Sequence, residues 1–321
     1  MNSRITPIQV IKDIFTDSSP VIRLLAVIII MGTCYLIFTF IGLLLAMLLF
    51  SFSWQELQNL LSGEMQEVST GFLYYMQGLQ SIGLFIVPAI LVYILILRDE
   101  AETVFTGKRY IFTAALLVIV TLIFSAPLLQ KLIEWNESLQ LPASLHEFET
   151  TLKTLEEERV KIVEQLLSGK GATFFLINIL VVSILPALGE ELFFRGILQT
   201  LLTNWFRNLH VGILATAVVF SAAHLQFYGF LPRLILGMYF GYLFFWSKNI
   251  WIPILAHFFN NSIAVFLSFI VDGTDTRFTR YLSQMNNTSA LALCISIVLT
   301  VFLILLTRRW IAIKMRTRIL S

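Results

Sequence analysis

The sequence predicts an all-α polytopic membrane protein of about eight transmembrane helices, with one amphipathic helix outside the bilayer on the extracytoplasmic side. Three observations carry this reading. Of 321 residues, 57% are hydrophobic and only 13% are charged, about half the charged fraction of a soluble domain; mean hydropathy is +0.83. Apolar runs of roughly 20 residues, enough to span a bilayer, recur along the chain. A single large polar stretch, about 130–171, has helical rather than linker-like spacing.

In order, the apolar runs fall at about 22–50, 78–97, 110–129, 172–203, 210–228, 230–247, 250–271 and 289–307. The fourth is overlong and contains Pro186, so it is expected to be kinked, tilted or projecting. The first run follows some twenty mixed residues and is too long for a signal peptide. Lys and Arg cluster in alternate flanks: Arg4, Lys12 and Arg23, then Arg98, Lys108 and Arg109, then Arg207, Lys248, and the tail with Arg308, Arg309, Lys314, Arg316 and Arg318. The loop at 51–77 has neither residue type. The positive-inside rule therefore puts both termini in the cytoplasm and that loop outside; for a bacterial source the membrane is the plasma membrane.

Within the polar stretch, Ser144 and Glu147 fit a capping box. Leu145, Phe148, Leu152, Leu155, Ile162 and Leu166 then repeat at helical spacing up to Gly169. This helix is expected to rest on the protein or bilayer surface, with a cover over the substrate path or a dimer contact as alternatives. A second capping box, Ser53 and Glu56, opens a short helix near the outer surface. Gly237 and Gly241 form a small-xxx-small pair suited to close helix packing. Cys34 and Cys294 lie in apolar runs and read as small buried fillers. The formal net charge of +2 says nothing about nucleic acid, and none is expected as a partner; the bilayer is.

The chemistry concentrates in Leu188-Gly189-Glu190-Glu191-Leu192-Phe193-Phe194-Arg195-Gly196. Adjacent carboxylates at membrane depth need partners or a function. Arg195 stands four residues after Glu191, where a helix brings opposite charges together. Glu190 points about 100° away and must meet a group from another element. His146 and His210 read as structural, whereas His224 and His257 sit in or at the end of apolar helices. His257 shares a helix face with Asn261 and within reach of Asn260, and spacing does not separate the two amides. Phe220 precedes His224 by one turn and can hold its ring. Glu190 with an imidazole can activate a water, since a desolvated carboxylate is the better base; a second His with an amide can hold an oxyanion. Glu190, His224 and His257 also make a possible zinc set, although no HExxH is present, so the cofactor is either none or Zn.

Glu190-Glu191-Leu192-Phe193-Phe194-Arg195 matches EExxxR, Phe220-Ser221-Ala222-Ala223-His224 matches FxxxH, and His257-Phe258-Phe259-Asn260-Asn261 matches HxxxN. In this order on successive apolar segments, they resemble the CPBP (Abi) family of intramembrane proteases, which includes the type II CAAX prenyl endopeptidases and bacteriocin-processing or immunity-associated proteins. The resemblance covers about 172–265. It implies that Glu190 is the general base, assisted by His224, that His257 and Asn261 form the oxyanion site, and that Glu191 and Arg195 support the helix, with Phe220 beside them. It selects Asn261 over Asn260. Members are described both as metalloproteases and as metal-free glutamate proteases; the second mechanism is favoured here. The implied substrate is a membrane-associated protein or peptide, and nothing fixes its identity or the oligomeric state.

The chain accordingly divides into 1–171, three helices and the amphipathic segment; 172–271, the catalytic core; and 272–321, the last helix and a basic tail. The leading expectation is an endopeptidase with a polar cavity that joins the three motifs and opens to the cytoplasm or bilayer. A non-catalytic scaffold or immunity-type binder is the alternative. A transporter is disfavoured, because the halves do not repeat. One difficulty stands: measured within their own spans, Glu190 lies nearer the cytoplasmic edge and His224 nearer the outer edge. A break at Pro186 or a later start to the fifth helix would let them meet.

Overall fold

The computed structural model describes residues 15, 18–62, 68–97, 111–139, 142–270 and 289–319, with side chains described as far as 314. Arg4, Lys12, Arg98, Lys108, Arg109 and the side chains of Arg316 and Arg318, which enter the charge argument above, lie outside the described residues. Among the described residues there are ten helices and no strand. They are α1 Pro20–Leu49, α2 Trp54–Ser62, α3 Thr70–Leu95, α4 Ile111–Glu137, α5 His146–Leu167, α6 Ala172–Phe206, α7 Leu209–Ala223, α8 Phe230–Ser247, α9 Trp251–Ile270 and α10 Ala290–Ile319.

Seven of these (α1, α3, α4, α6, α8, α9 and α10) are long and apolar enough to cross a membrane. The eighth expected span is α7, whose 15 residues extend about 22 Å, short of a hydrocarbon core of about 30 Å. The bundle buries its small and polar groups and leaves Leu36, Leu48, Leu176 and Val298 exposed on its flanks, an arrangement that suits a surrounding apolar medium. Cys34 is buried as expected, but Cys294 is exposed on α10. It faces outward with Leu291, Ile295 and Val298, because a helix flank bathed in lipid has no need to hide a thiol.

Both α3 and α6 carry prolines without breaking. In each, a π-helical turn, Ser81–Ile86 or Ile179–Ile184, comes just before the proline, Pro88 or Pro186. Pro186 has no N–H to return to Val182 O, the i−4 carbonyl; the Asn261 side chain donates to that oxygen at 3.4 Å. A second π turn, Leu192–Leu198, follows the acidic pair. The fourth span is therefore one continuous helix of 35 residues, about 52 Å long, with its irregularity placed around Glu190 and Glu191.

Two glycines allow the close approaches that build the site. A Cβ on Gly189 would lie 2.8 Å from Phe85 Cβ and 3.2 Å from Ser81 O, so α6 reaches the π turn of α3 only with glycine there. A Cβ on Gly237 would lie 3.1 Å from Phe220 and 3.2 Å from Ala217, and Gly237 and Gly241 both pack on the α6–α7 hairpin, as the small-xxx-small pair predicts.

At one end of the bundle, α5 lies across the turns that join the spans. Its C-terminal part is tied down by Tyr74, whose hydroxyl donates to Leu166 O at 2.6 Å, and by Gln165, which donates to Val68 O at 2.6 Å. The capping box at Ser53 and Glu56 is formed, with Ser53 N–H to Glu56 Oε2 at 2.7 Å and Glu56 N–H to Ser53 Oγ at 3.2 Å. The one at Ser144 and Glu147 is not. Residues Ala143–Leu145 form a 3₁₀ turn after Pro142, α5 starts at His146, and its N-cap is Leu145 without a side-chain bond. The proline-led tight turn occupies the place the cap would need. Of the stripe predicted to rest on the protein or the bilayer, Leu166 is buried against the protein, whereas Leu145, Phe148, Leu155 and Ile162 are exposed.

Candidate active site

Glu191 and Arg195 are wholly buried. Arg195 Nη1 donates to Glu191 Oε1 at 2.7 Å and Nη2 donates to Gly237 O at 3.2 Å. The guanidinium lies over the Phe220 ring at 4.5 Å and the Phe240 ring at 5.5 Å. His257 Nδ1 donates to the same Glu191 oxygen at 2.8 Å, and its ring stacks on Phe240. The Glu191–Arg195 pair expected from spacing is present, and a third charge-bearing group from α9 joins it. An isolated carboxylate here would be costly; with Arg195 attached, the charge is balanced within one helix turn.

Glu190 points elsewhere. Its Oε2 is buried without a hydrogen-bond partner and faces His257 Nε2 at 3.9 Å, too long for a direct hydrogen bond. The partner from another element that Glu190 required is thus His257.

His224 caps the C-terminus of α7. Its Nδ1 is 2.8 Å from Phe220 O. A carbonyl only accepts, so Nδ1 carries the hydrogen and Nε2 presents a lone pair. The Phe220 ring meets His224 edge-to-face at 5.0 Å and His257 at 5.9 Å, so one aromatic ring spaces both imidazoles and the guanidinium.

The depth difficulty disappears when both residues are counted from the shared turn at Arg207. Glu190 is 17 residues before it and His224 is 17 residues after it; in an antiparallel hairpin both therefore lie about 25 Å from that turn. The helix neither breaks at Pro186 nor starts late at α7. Rather, α7 stops at Ala223, earlier than the expected 228, which leaves His224 at its tip.

A cavity of about 470 Å³ joins the motifs: Glu190, His224, Asn260 and Asn261 all line it, with Pro186 and Phe194. His257 stands behind Glu190 rather than on this wall. Asn260 Nδ2 lies 3.4 Å from Asn261 Oδ1, so the two amides adjoin and both face the cavity. The expected opening was to the cytoplasm or the bilayer, and the cavity is not at the end that carries Arg207 and Lys248. It lies at the opposite end, under α5, because both site residues sit far from the α6–α7 turn.

Sequence reasoning missed several groups. Gln77 and Gln80 of α3, Gln226, and Arg159 of α5 also line the cavity. The stretch after His224, where Leu225 has φ +52°, is clamped from two sides. Asn136 donates to Phe227 O at 2.8 Å and accepts from Leu231 N–H at 3.0 Å. Glu156 accepts from Tyr228 N–H at 3.0 Å and Glu149 from the Tyr228 hydroxyl at 3.3 Å. These pairs are separated by 72 to 95 residues, and no local pattern announces them; a lone Asn near the end of an apolar helix was the only available signal.

Among the described residues, no three His, Cys, Asp or Glu side chains are grouped so as to hold a metal ion. Glu190, His224 and His257 are therefore not arranged as a three-ligand set.

The fold and cavity define the class: an all-α polytopic membrane protein with a polar site between apolar helices. The comparisons narrow it. Residues 172–263 match the family described as type II CAAX prenyl endopeptidase Rce1-like, the stretch that carries all three motifs. A protein of Bacillus subtilis (strain 168), described as uncharacterized protein YpbD, is 27% identical over 90 residues, which is 27% of this chain and 43% of that protein. The match thus spans less than half of that relative. No solved structure matches the chain significantly.

Proposed function

We propose that the protein is an intramembrane endopeptidase that hydrolyses a peptide bond of a membrane-associated protein or peptide, with its termini in the cytoplasm. The observation that carries this reading is the cavity shared by Glu190, His224 and Asn261, with a carboxylate oxygen left without a hydrogen bond. The similarity of residues 172–263 to prenyl endopeptidases points the same way.

In the proposed reaction, a water held between Glu190 and the His224 Nε2 lone pair attacks the carbonyl carbon, and Glu190 takes its proton. The developing oxyanion accepts from the Asn261 amide on the cavity wall; His257, held by Glu191 at Nδ1 and facing Glu190 with Nε2 from behind, positions that carboxylate. Collapse breaks the C–N bond, and the proton on Glu190 passes to the leaving amine. Glu191, Arg195 and Phe220 fix the rings and do not touch the substrate.

The test uses purified protein in liposomes with a peptide digest of the host's membrane proteins, reading new termini by mass spectrometry. Glu190→Ala is expected to lose cleavage by about 10²–10⁴-fold while remaining folded. Unchanged cleavage, or an unfolded variant and no Glu190-dependent product from the wild type, would favour the scaffold reading. Metal analysis of the same samples is expected to show no stoichiometric zinc; zinc that disappears in Glu190→Ala and His224→Ala would instead support the metalloprotease mechanism.

A further inference from the structure

We infer that the site works on the face of the membrane opposite the basic turns and termini, so that its substrates are exported peptides or the extracytoplasmic segments of membrane proteins. This rests on the peptidase reading above and adds to it the compartment and substrate class.

One end of the bundle is basic. Arg207 and Lys248 follow α6 and α8 there, and His210 Nδ1 meets the Tyr242 hydroxyl at 2.7 Å, which puts the start of α7 beside the last turns of α8. Trp310 packs with the core formed by Ala114, Leu243 and Ile252, so Arg308, Arg309 and Lys314 of α10 belong to the same end. Arg23 opens α1, whose partners include the last part of α6. By sequence the flanks add Arg4, Lys12, Arg98, Lys108 and Arg109.

The other end is different in kind. Across α5 and the residues after it, Lys153, Arg159, Lys161 and Lys170 are outnumbered by glutamates, and residues 51–77 hold no Lys or Arg. Lys131 and Arg233, the latter in the first turn of α8 and bonded to Gln226, are the other cations described at this end, and Arg277 and Arg280 join them by sequence. Charge bias of this size sets orientation, and the basic end faces the cytoplasm.

The site belongs to the other end by two independent measures. Glu190 and His224 lie about 25 Å from the Arg207 turn along straight helices, which is most of a hydrocarbon core of about 30 Å. The cavity wall itself includes Arg159, Ile162, Val163 and Leu166 of α5, the helix tied to Val68 and Tyr74 at that end. A peptide that reaches Glu190 from the basic end would have to pass the packed Phe194, Phe220 and Ile197, all buried; from the α5 end it meets Arg159 and three glutamines.

The experiment places single cysteines in a variant lacking Cys34 and Cys294. Arg159→Cys is expected to react with a membrane-impermeant maleimide on intact spheroplasts, and Lys248→Cys only after permeabilisation. The reverse pattern overturns the inference. A second arm uses proteoliposomes sorted by orientation, with the membrane-peptide digest outside. Glu190-dependent cleavage should occur where the Arg159 face is outward and be lost, at least tenfold, where the Lys248 face is outward. Glu190-dependent cleavage only from the Lys248 face would overturn the inference and keep the peptidase reading. Cleavage that survives Glu190→Ala on either face would defeat the peptidase reading itself, while the labelling pattern would still report the orientation.

Discussion

Helices α6 and α5 each carry a carboxylate and a cation four residues apart, yet the two pairs have little else in common. Glu191 and Arg195 are both fully buried at 2.7 Å. Glu149 and Lys153 meet at 2.9 Å, but half of the Lys153 side chain is exposed. The sequence rule that finds both pairs is the same. What differs is the alternative open to each charge once its partner is gone: Lys153 turns to water, whereas Glu191 has only protein around it. Spacing locates a pair, and burial decides what it is worth.

The largest effect should follow from Arg195→Leu. It strands Glu191 beside His257, and loss of one member of a buried pair costs about 3–5 kcal/mol. A sharp fall in the thermal unfolding midpoint in detergent, with reduced accumulation in membranes, is expected. A midpoint equal to wild type would mean that the pair is not the brace of α6.

Asn136→Ala should come next. It removes both bonds to the turn after His224 and leaves Phe227 O and Leu231 N–H unmatched, at about 1–3 kcal/mol for a buried group without its partner. Because that turn carries His224, the variant should also lose turnover more than substrate affinity. A stability loss with unchanged turnover would show that the clamp does not position the histidine.

Lys153→Ala should lower the unfolding midpoint at neutral pH far less than Arg195→Leu, because Lys153 is half exposed and the buried Glu149 keeps the Tyr228 hydroxyl. The hydrogen bond to Glu149 holds the Lys153 ammonium above its ordinary range. Any stabilisation it gives is therefore complete below the ordinary lysine pKa and lost as pH rises through the higher folded value. Wild type and variant should converge at alkaline pH, and a gap that widens there would contradict the assignment.

The sequence made α6 legible almost entirely. The EExxxR spacing located the Glu191–Arg195 pair, Glu190's want of a local partner pointed to another helix, and Gly237 and Gly241 marked the contact behind them. These follow from periodicity along one element. It did not disclose the Asn136 and Glu156 clamps, Arg159 at the cavity, or the side on which the cavity lies, because each depends on where one helix stops relative to another. The end of α7 at Ala223 is the clearest case: an apolar run continued to 228 on composition alone, while the chain turns at His224 to present its ring. In α5 the apolar stripe did not tell which of its residues meet the protein, for a related reason. The helix is held by carboxylates on Tyr228 and by Leu166, so much of its apolar face is not needed for docking.

The division of labour between neighbouring carboxylates is the centre of the account, and Glu190→Gln beside Glu191→Gln tests it most directly. Turnover of a Glu190-dependent peptide and the thermal midpoint would be measured on both. Glu190→Gln should unfold with the wild type and lose turnover, since an amide takes no proton from water. Glu191→Gln should unfold early, because the charge that Arg195 and His257 share is gone. An active Glu190→Gln, or one destabilised as severely as Glu191→Gln, would show that Glu190 is a second packing carboxylate and not the base.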